Sequence, residues 1–268
     1  MTRSQRSSPI IVMVLVAIGC GGGKPQEAAA TTQESGPSAP AQAAQATAAA
    51  PPAARHGTAT VRGTVHLSGT PPAQEKIKMD ADPICQQQHA TPVYSEEVVA
   101  NATGALQNVF VYVKAGAAGP FPTPASPVTL EQQGCWYHPH VFGIQVDQPL
   151  AIVNSDATLH NINAKPTANQ PFNVAQPVKG MKTTKKFAKP EVMVKFKCNV
   201  HPWMNAYAGV VDNPFFSVTG ADGAFAITGL PAGTYVIEAW QEKYGVQSQT
   251  VSVADGDTKS IDFTLKSP

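Results

Sequence analysis

The chain has few charged residues of either sign, and it lacks the long apolar segments of 3.6-residue period that predict helices. Charged residues make up 14% of its 268 residues and the net charge is +1, so no global field argues for a nucleic-acid partner. Proline and glycine are plentiful, with 24 and 21 residues. This composition predicts an all-β fold with many turns, in one large or two small domains.

Several signatures of metal binding and catalysis are also missing from the sequence. C-x-x-C-H, which attaches haem, and paired C-x-x-C motifs, which bind zinc, do not occur. The six methionines are scattered, and there is no His- or Met-rich tract of the kind expected in a copper-handling protein. No catalytic machinery is visible either, so we expect a protein that is not an enzyme.

The N-terminus carries the features of a secretory leader. Arg3 and Arg6 precede an apolar run over residues 10–18, which is too short to span a bilayer but suits the core of a signal peptide. Residues 17–20 resemble a bacterial lipobox, which implies a signal peptide over residues 1–20 and lipidation of Cys20. Gly21 then implies the periplasmic face of the outer membrane. The alternative is cleavage nearby and a soluble periplasmic or secreted protein.

Residues 21–57 consist mainly of Ala, Pro, Gln, Ser and Thr and contain almost no large apolar side chain. Such a segment cannot bury enough surface to offset the entropy lost on ordering. We interpret it as a disordered tether between the lipid anchor and the folded part of the chain.

The most informative segment is Cys198 to Met204, which has C-x2-H-x2-M spacing with His201 at its centre. His160, which follows an apolar run over residues 150–154, is a candidate for one further ligand. Two imidazoles and a thiolate in a trigonal plane, with a weak thioether above it, form the ligand set of a blue-copper electron-transfer site. The sequence therefore predicts one type 1 copper held by His160, Cys198, His201 and Met204.

The strand before Cys198 places the thiol on the core side of a sheet. In residues 191–198 a period of two puts Val192, Val194, Phe196 and Cys198 on one face, with lysines on the other. A buried structural cysteine would share this phase, so the phase alone does not assign a metal ligand. The histidine and methionine that follow favour the metal.

Four cysteines occur in the sequence. If lipid takes Cys20 and metal takes Cys198, then Cys85 and Cys135 remain in an oxidising compartment, where a disulfide between them is the simple expectation. A competing hypothesis is a metal site formed by Cys85, His89 and Cys135.

With these motifs in view, the chain resembles the cupredoxins, which are Greek-key β-sandwich electron carriers, over residues 105–212. The ligand loop is most similar to that of amicyanin. The resemblance implies that His160, Cys198 and His201 are equatorial ligands and that Met204 is axial. It also implies that Asn161 pins the ligand loop and donates a hydrogen bond near the sulfur. It further implies that the edge of His201, with Pro202 and Trp203, contacts a redox partner.

The last part of the chain has a different pattern. Residues 222–235 read D-G-x-F-x-I-x-x-L-P-x-G-x-Y, which resembles the carboxypeptidase regulatory-like, transthyretin-like β-sandwich modules. This resemblance implies a second small β-sandwich over residues 213–268. Residues 58–104 are predicted to hold a strand at 58–67 followed by an irregular region. One hypothesis pairs this strand with the C-terminal sandwich, which would make the copper domain an insertion.

Two further features have open interpretations. Residues 141–146 and 150–154 flank Asp147-Gln148-Pro149 and are predicted to form a hairpin, which would place His140 on the copper side. There His138 and His140 are either an extra metal site or an exposed histidine pair. Between Lys179 and Lys197 stand seven lysines and one acid, which either steer an acidic partner or form a solvated strand face.

These features favour an envelope-anchored one-electron carrier with a redox protein as partner, for which a cytochrome is one candidate. A copper chaperone or sensor is the first alternative, and a structural or binding lipoprotein with an incidental metal site is the second. Cys198 is flanked by Lys197 and Asn199, whereas multicopper oxidases and copper nitrite reductases have histidines there. A binuclear purple-copper centre would need a second cysteine in the loop, and the loop has only Cys198.

Overall fold

The computed structural model describes residues 56–266, so the predicted signal peptide, Cys20 and nearly all of the tether lie outside the described residues. No helix in the described part is long and apolar enough to cross a membrane. Strands dominate this part, so the prediction of an all-β fold is confirmed. In chain order the elements are β1 (Ala59–Ser68), α1 (Pro83–Gln87), β2 (Phe110–Ala115), β3 (Val128–Gln132), β4 (Tyr137–His138), β5 (Val141–Gln145), β6 (Leu150–Asn154), β7 (His160–Ala164), β8 (Phe172–Gln176), β9 (Lys182–Lys185), β10 (Glu191–Lys197), β11 (Asn205–Val211), β12 (Phe216–Val218), β13 (Ala224–Leu230), β14 (Gly233–Gln241), β15 (Gly245–Val253), β16 (Thr258–Ser260) and β17 (Phe263–Lys266).

The first sandwich combines strands from both ends of the described chain. One sheet has the order β13-β1-β16, with β17 also paired to β1, and the other has the order β12-β2-β14-β15. β1 is antiparallel to β13 and parallel to β16 and β17. Val65, Val111 and Ile237 belong to the core between these sheets. The opening strand therefore completes the C-terminal sandwich, and the second sandwich lies between β2 and β12 in sequence.

The position of β2 differs from the predicted domain boundary at residue 105, which assigned this strand to the copper domain. β2 pairs with β12 and β14 in the first sandwich. Its residues Phe110 to Val113 are buried on both faces. Val111 faces the core of the first sandwich, while Phe110 and Tyr112 face a cluster shared with the second. A strand that is apolar on both faces carries no alternation from which its own core can be inferred.

The second sandwich carries the predicted ligands. Its sheets have the orders β5-β11-β10-β7-β8 and β4-β3-β6-β9. On β10 and just beyond it, Val194, Phe196 and Cys198 are buried in the core between these sheets, as the period of two predicts. Val192 departs from that phase because the pairing of β10 with β11 shifts register between Glu191 and Val194.

The predicted hairpin over residues 141–154 is wrong. β5 pairs in parallel with β11 in the five-stranded sheet, whereas β6 pairs in parallel with β3 in the other sheet. The turn at Asp147, which has a φ of 62°, therefore carries the chain across the core from one sheet to the other. Turn residues predict a reversal of direction but not whether the two strands share a sheet.

Two glycines allow the sandwiches to approach closely. A Cβ atom on Gly209 would lie 2.2 Å from the ring of Phe110, and one on Gly143 would lie 2.2 Å from the ring of Phe216. Phe110 and Phe216 come from the first sandwich, while the glycines lie on β11 and β5 of the second. Because β11 begins directly after the predicted ligand loop, this close packing fixes the loop relative to both sandwiches.

Candidate metal centre

His160 lies at the start of β7, at the end of a loop that is held by the side chain of Asn154. The Asn154 amide donates to the carbonyl of Thr158 at 2.9 Å and to that of Gln176 at 2.7 Å. Its carbonyl oxygen accepts from the backbone N–H of Asp156 at 2.9 Å. These bonds position both Asp156 and His160, and the two side chains meet at 2.8 Å between Oδ2 and Nε2.

Cys198 and His201 lie in a short loop between β10 and β11. The N–H of Cys198 donates to the carbonyl of Met204 at 3.1 Å, and the N–H of Met204 donates to that of His201 at 3.0 Å. The N–H of His201 points to the Cys198 sulfur at 3.4 Å. Cys198 is the free cysteine of the described residues. The backbone of this loop is therefore closed on itself.

The structure brings the side chains of His160, Cys198 and His201 together. The Nδ1 atoms of the two histidines are 3.1 Å apart, and the Cys198 Sγ lies 3.8 Å from Nδ1 of His201. A first-row metal with bonds of about 2.0 Å to nitrogen and 2.3 Å to sulfur separates trigonal donors by roughly 3.5–3.8 Å. The distance between Sγ and Nδ1 matches this separation, whereas the distance between the two Nδ1 atoms is shorter. All three donor atoms lie within 4.8 Å of one another, so these side chains could hold one metal ion.

All the predicted ligands are removed from water. His160 is 0% exposed, Cys198 4% and His201 2%, and Met204 is also buried in the core of the second sandwich. Met204 reaches this position through the loop backbone, and its role as axial ligand stays a prediction. Groups of three donors that include these residues also involve Cys85, Cys135 and Asp156.

Each histidine donates its second ring nitrogen to a carboxylate, and these carboxylates were not predicted. Nε2 of His160 bonds Asp156 at 2.8 Å, and Nε2 of His201 bonds Oδ2 of Asp82 at 2.9 Å. A histidine that donates from Nε2 has a lone pair on Nδ1, so both rings present the atom that can bind a metal. Two features of the sequence could have indicated these carboxylates. Asp156 lies four residues before His160, and Asp82 before Pro83 is typical of a helix start.

The electrostatics of the site favour a bound cation. Burial raises the pKa of the Cys198 thiol, but hydrogen bonds from His160 and His201 outweigh it and lower the pKa to about 6. Burial lowers the pKa of His160, while its bonds to Asp156 and the Cys198 thiolate raise it above its usual value. Two imidazole lone pairs that face each other beside a thiolate repel one another unless a proton or a metal lies between them.

Asp156 and Asp82 are ionised in this arrangement. Burial raises the pKa of Asp156, yet hydrogen bonds from His160 and from the N–H groups of Cys135 and Gly134 hold it below its usual value. The hydrogen bond from His201 lowers the pKa of Asp82, and the N–H groups of Cys85 and Ile84 lower it further. Each carboxylate is therefore an acceptor for the histidine beside it.

Cys85 and Cys135 form a disulfide, as the cysteine pattern predicted, and it lies against the site. The Cys85 Sγ is 3.5 Å from Nε2 of His201. The competing metal site with His89 does not fit, because His89 bonds the carbonyl of Gly134 at 2.7 Å and both sulfurs are in the disulfide.

Asn161 makes one of its two predicted contacts: it holds the ligand loop, but its amide does not bond the sulfur. Its side-chain oxygen accepts from the N–H of Asn199 at 2.7 Å, which pins the loop after Cys198. Its amide nitrogen donates to the side chain of Asn173 and not to the sulfur. The pinning role fits the structure, whereas the bond to sulfur is absent from it.

His138 and His140 do not form a pair. His138 is exposed, while His140 is buried and bonds Oε1 of Glu242 through Nε2 at 2.6 Å and the carbonyl of Asn205 through Nδ1 at 3.2 Å. Among the described residues, neither belongs to a group of three clustered donors. His140 does lie beside the end of the ligand loop, because β5 is parallel to β11 and not because of a hairpin.

The predicted contact with a partner stays a prediction, but the structure covers the edge of His201. His201 is buried beneath Asp82, whereas Pro202 is exposed and Trp203 is half-buried. Pro202 and Trp203 line a cavity of about 470 Å³ together with Trp136 and His140. The Trp203 ring packs on His201 with centroids 5.2 Å apart, so it is the neighbour of the site that reaches this cavity.

Comparisons with known proteins bear mainly on the C-terminal part. Residues 210–266 match the carboxypeptidase regulatory-like domain, close to the predicted span of 213–268. No curated protein matches the chain.

Three solved structures show a weak likeness over about a third of the chain. A copper-containing nitrite reductase from Thermus scotoductus SA-01 is 24% identical with a TM-score of 0.29, covering 37% of this chain and 24% of the reductase. A purple cupredoxin from Nitrosopumilus maritimus is 20% identical with a TM-score of 0.27, covering 31% of this chain and 97% of its own. A Cu(I) mutant of amicyanin is 14% identical with a TM-score of 0.29, covering 37% and 97%. TM-scores of this size assign no function, whereas the family model identifies residues 210–266 as a carboxypeptidase regulatory-like domain.

Proposed function

We propose that this chain is a type 1 blue-copper protein that carries single electrons in the cell envelope. The observation that carries the proposal is the convergence of two Nδ1 atoms and one thiolate sulfur in a buried site. In this proposal His160, Cys198 and His201 bind copper equatorially and Met204 binds axially.

The donor set suits one-electron exchange for a physical reason. Thiolate and thioether stabilise Cu(I), imidazole accepts both oxidation states, and a site that changes little between them exchanges electrons rapidly. Here the loop from Cys198 to Met204 is closed by its own hydrogen bonds, and Asn161 ties it to β7. Both histidine rings are fixed at Nε2 by carboxylates, so the donors have little freedom to rearrange.

We propose a carrier and not an enzyme, because the donors are buried and leave no face of the site to a substrate. The partner is a redox protein that docks over Pro202 and Trp203, and a cytochrome is one candidate. The leader pattern supports a lipid on Cys20 and a position on the periplasmic face of the outer membrane.

The first test is the spectrum of the purified protein loaded with Cu(II). We expect an intense red-absorbing thiolate charge-transfer band and the paramagnetic resonance of a type 1 site. Cys198→Ser removes the band because it removes the thiolate, and His138→Gln leaves it unchanged because His138 is exposed and apart from the donors. A colourless wild-type protein contradicts the proposal.

A second measurement separates a carrier from a copper chaperone. A carrier retains its copper through repeated reversible one-electron cycles, whereas a chaperone gives Cu(I) to a competing chelator within its working time. The burial of the donors supports retention. Rapid loss of Cu(I) to a chelator of moderate affinity would favour the chaperone.

A further inference from the structure

The Nε2 edge of His201 is covered by a segment that precedes both ligand loops in sequence. His201 is 2% exposed, and the groups against its Nε2 are Oδ2 of Asp82 at 2.9 Å and Sγ of Cys85 at 3.5 Å. Both belong to the start of α1 and not to a strand of the second sandwich. This short segment therefore occupies the place where a partner or solvent would otherwise reach the ring.

The two oxygens of Asp82 have separate partners. Oδ1 caps α1 by accepting from the N–H of Ile84 at 2.9 Å and of Cys85 at 3.3 Å, while Oδ2 accepts from His201. The Asp82 side chain is 21% exposed. A carboxylate has an oxygen for each role, whereas an asparagine has one acceptor and would turn an N–H₂ group toward either the helix or the histidine.

The segment that carries Asp82 is held on the sandwich at two places and is closed on itself at a third. The disulfide joins Cys85 to Cys135, and both residues are fully buried. Met79 packs in the core of the second sandwich. The N–H of Ile77 bonds the carbonyl of Val93 at 2.9 Å, which closes the segment on itself. Asp82 is therefore fixed relative to His201 and does not depend on a mobile loop.

The disulfide also connects Asp82 to the carboxylate on the other histidine. Cys135 donates its backbone N–H to Asp156 at 2.7 Å, and Asp156 bonds His160. The cross-link thus joins the segment that carries Asp82 to a backbone N–H group that holds Asp156. In metal sites, a carboxylate on the second nitrogen of a histidine fixes the tautomer and the ring orientation and makes the ligand a stronger donor.

We propose that Asp82 is a positioning residue of the metal site that aligns His201 and closes its edge to solvent. This inference rests on the proposed function, because it assigns His201 as a copper ligand through Nδ1. The bond from Nε2 to Asp82 holds Nδ1 toward the Cys198 sulfur. Greater electron donation from His201 stabilises Cu(II), so loss of Asp82 shifts the reduction potential to more positive values.

The test uses the full chain with Co(II) in place of copper, because Co(II) shifts the proton resonances of its ligands far from the rest. We expect two shifted, exchangeable ring N–H signals that persist in H₂O, from His160 and from His201. Asp82→Ser keeps a capping oxygen for α1 but is too short to reach His201. In this variant the ring N–H of His201 exchanges with solvent at least tenfold faster than in the wild type, so one of the two signals disappears.

The matched control is Asp80→Asn. Asp80 is exposed in the same segment, and its substitution removes the same charge as the substitution of Asp82. It keeps both signals and leaves the copper potential unchanged, whereas Asp82→Ser and Asp82→Asn raise the potential. Two protected signals in Asp82→Ser, or one in the wild type, overturn the inference. A wild-type protein without a thiolate band instead overturns the proposed function, so the two failures are distinguishable.

Discussion

At the scale of single residues, His140 connects the ligand loop to the first sandwich. Its Nδ1 bonds the carbonyl of Asn205, directly after the loop, and its Nε2 bonds Glu242, which follows β14 of the first sandwich. Burial lowers the pKa of His140, but the bond to Glu242 and the charges of Glu242 and Glu96 outweigh it and raise the pKa above its usual value. His140 is therefore a charged link and not a metal ligand.

This link predicts a pH dependence of stability. Because the pKa of His140 is raised on folding, its contribution is complete below the unfolded pKa of about 6.5 and is lost as the pH rises through the folded pKa. His140→Gln should lower the free energy of unfolding by about 1–3 kcal/mol at pH 6, and by less at pH 9. Urea unfolding of the copper-free protein at both pH values measures this difference.

His138→Gln is the control for the His140 experiment, since His138 is exposed two residues away. It should leave the free energy of unfolding nearly unchanged at both pH values. A deficit in His140→Gln that grows from pH 6 to pH 9 would contradict the assignment of a charged link.

At the scale of elements, α1 and its disulfide decide how the site is covered. α1 has only one turn, with Asp82 as its N-cap and a proline in its first turn. A helix this short has little stability of its own, so its position depends on the cross-link and on the packing around it. The same cross-link carries the backbone N–H that bonds Asp156.

The disulfide should therefore contribute to stability as well as to the site. It closes a loop with a sequence separation of 50 residues, for which the chain-entropy relation gives about 4 kcal/mol. Replacing both Cys85 and Cys135 with serine should lower the free energy of unfolding by about 2–4 kcal/mol in urea unfolding without reductant.

The serine variant should match wild-type protein whose disulfide has been reduced under denaturing conditions and kept reduced. If the oxidised wild type and the double variant unfold at the same urea concentration, the cross-link adds nothing to stability.

The ligand loop and the alternation of β10 could be predicted because both are local. The spacing of Cys198, His201 and Met204 and the period of two before them require no knowledge of distant strands. The cover over His201 could not be predicted in this way. Asp82 reaches the histidine through the tertiary position of α1, and an Asp before a proline predicts a helix start but not what the second oxygen contacts.

The same distinction explains the errors in the strands. Asp147-Gln148-Pro149 correctly marks a reversal, but the choice between one sheet and two depends on which strands later pair with β5 and β6. The register shift that moves Val192 off the core face depends on β11 as the partner of β10. Local patterns specify the phase of a strand, whereas its neighbours are set by packing.

At the scale of the whole molecule, the exposed lysines give one side of the second sandwich a local positive charge despite the small net charge. Lys179 and Lys182 are both exposed. They lie in and after the turn that bonds Asn154, which holds the loop before His160. Charges in this position raise the association rate of anionic partners at low salt.

The prediction uses hexacyanoferrate(III), a small anionic oxidant, with the reduced copper protein. The double variant Lys179→Glu and Lys182→Glu should slow oxidation several-fold at low ionic strength, measured by stopped-flow absorbance. The difference should shrink strongly near 0.5 M salt, because the screening length there is only about 4–5 Å.

The double variant Lys259→Glu and Lys266→Glu is the matched charge reversal, since these exposed lysines lie on β16 and β17 of the first sandwich. It should leave the oxidation rate close to that of the wild type. Equal slowing by both variants would indicate an effect of net charge and not of the lysines beside the site.

The interruption of the first sandwich sets an order of events during synthesis. β1 is made before the whole second sandwich, yet its partners β13, β16 and β17 are made after it. Until they emerge, β1 and β2 lack most of their neighbours, whereas β3 to β11 have all of their sheet partners among themselves. The second sandwich can thus form its sheets while the chain is still growing, and the first sandwich closes after it, once β12 to β17 have been made.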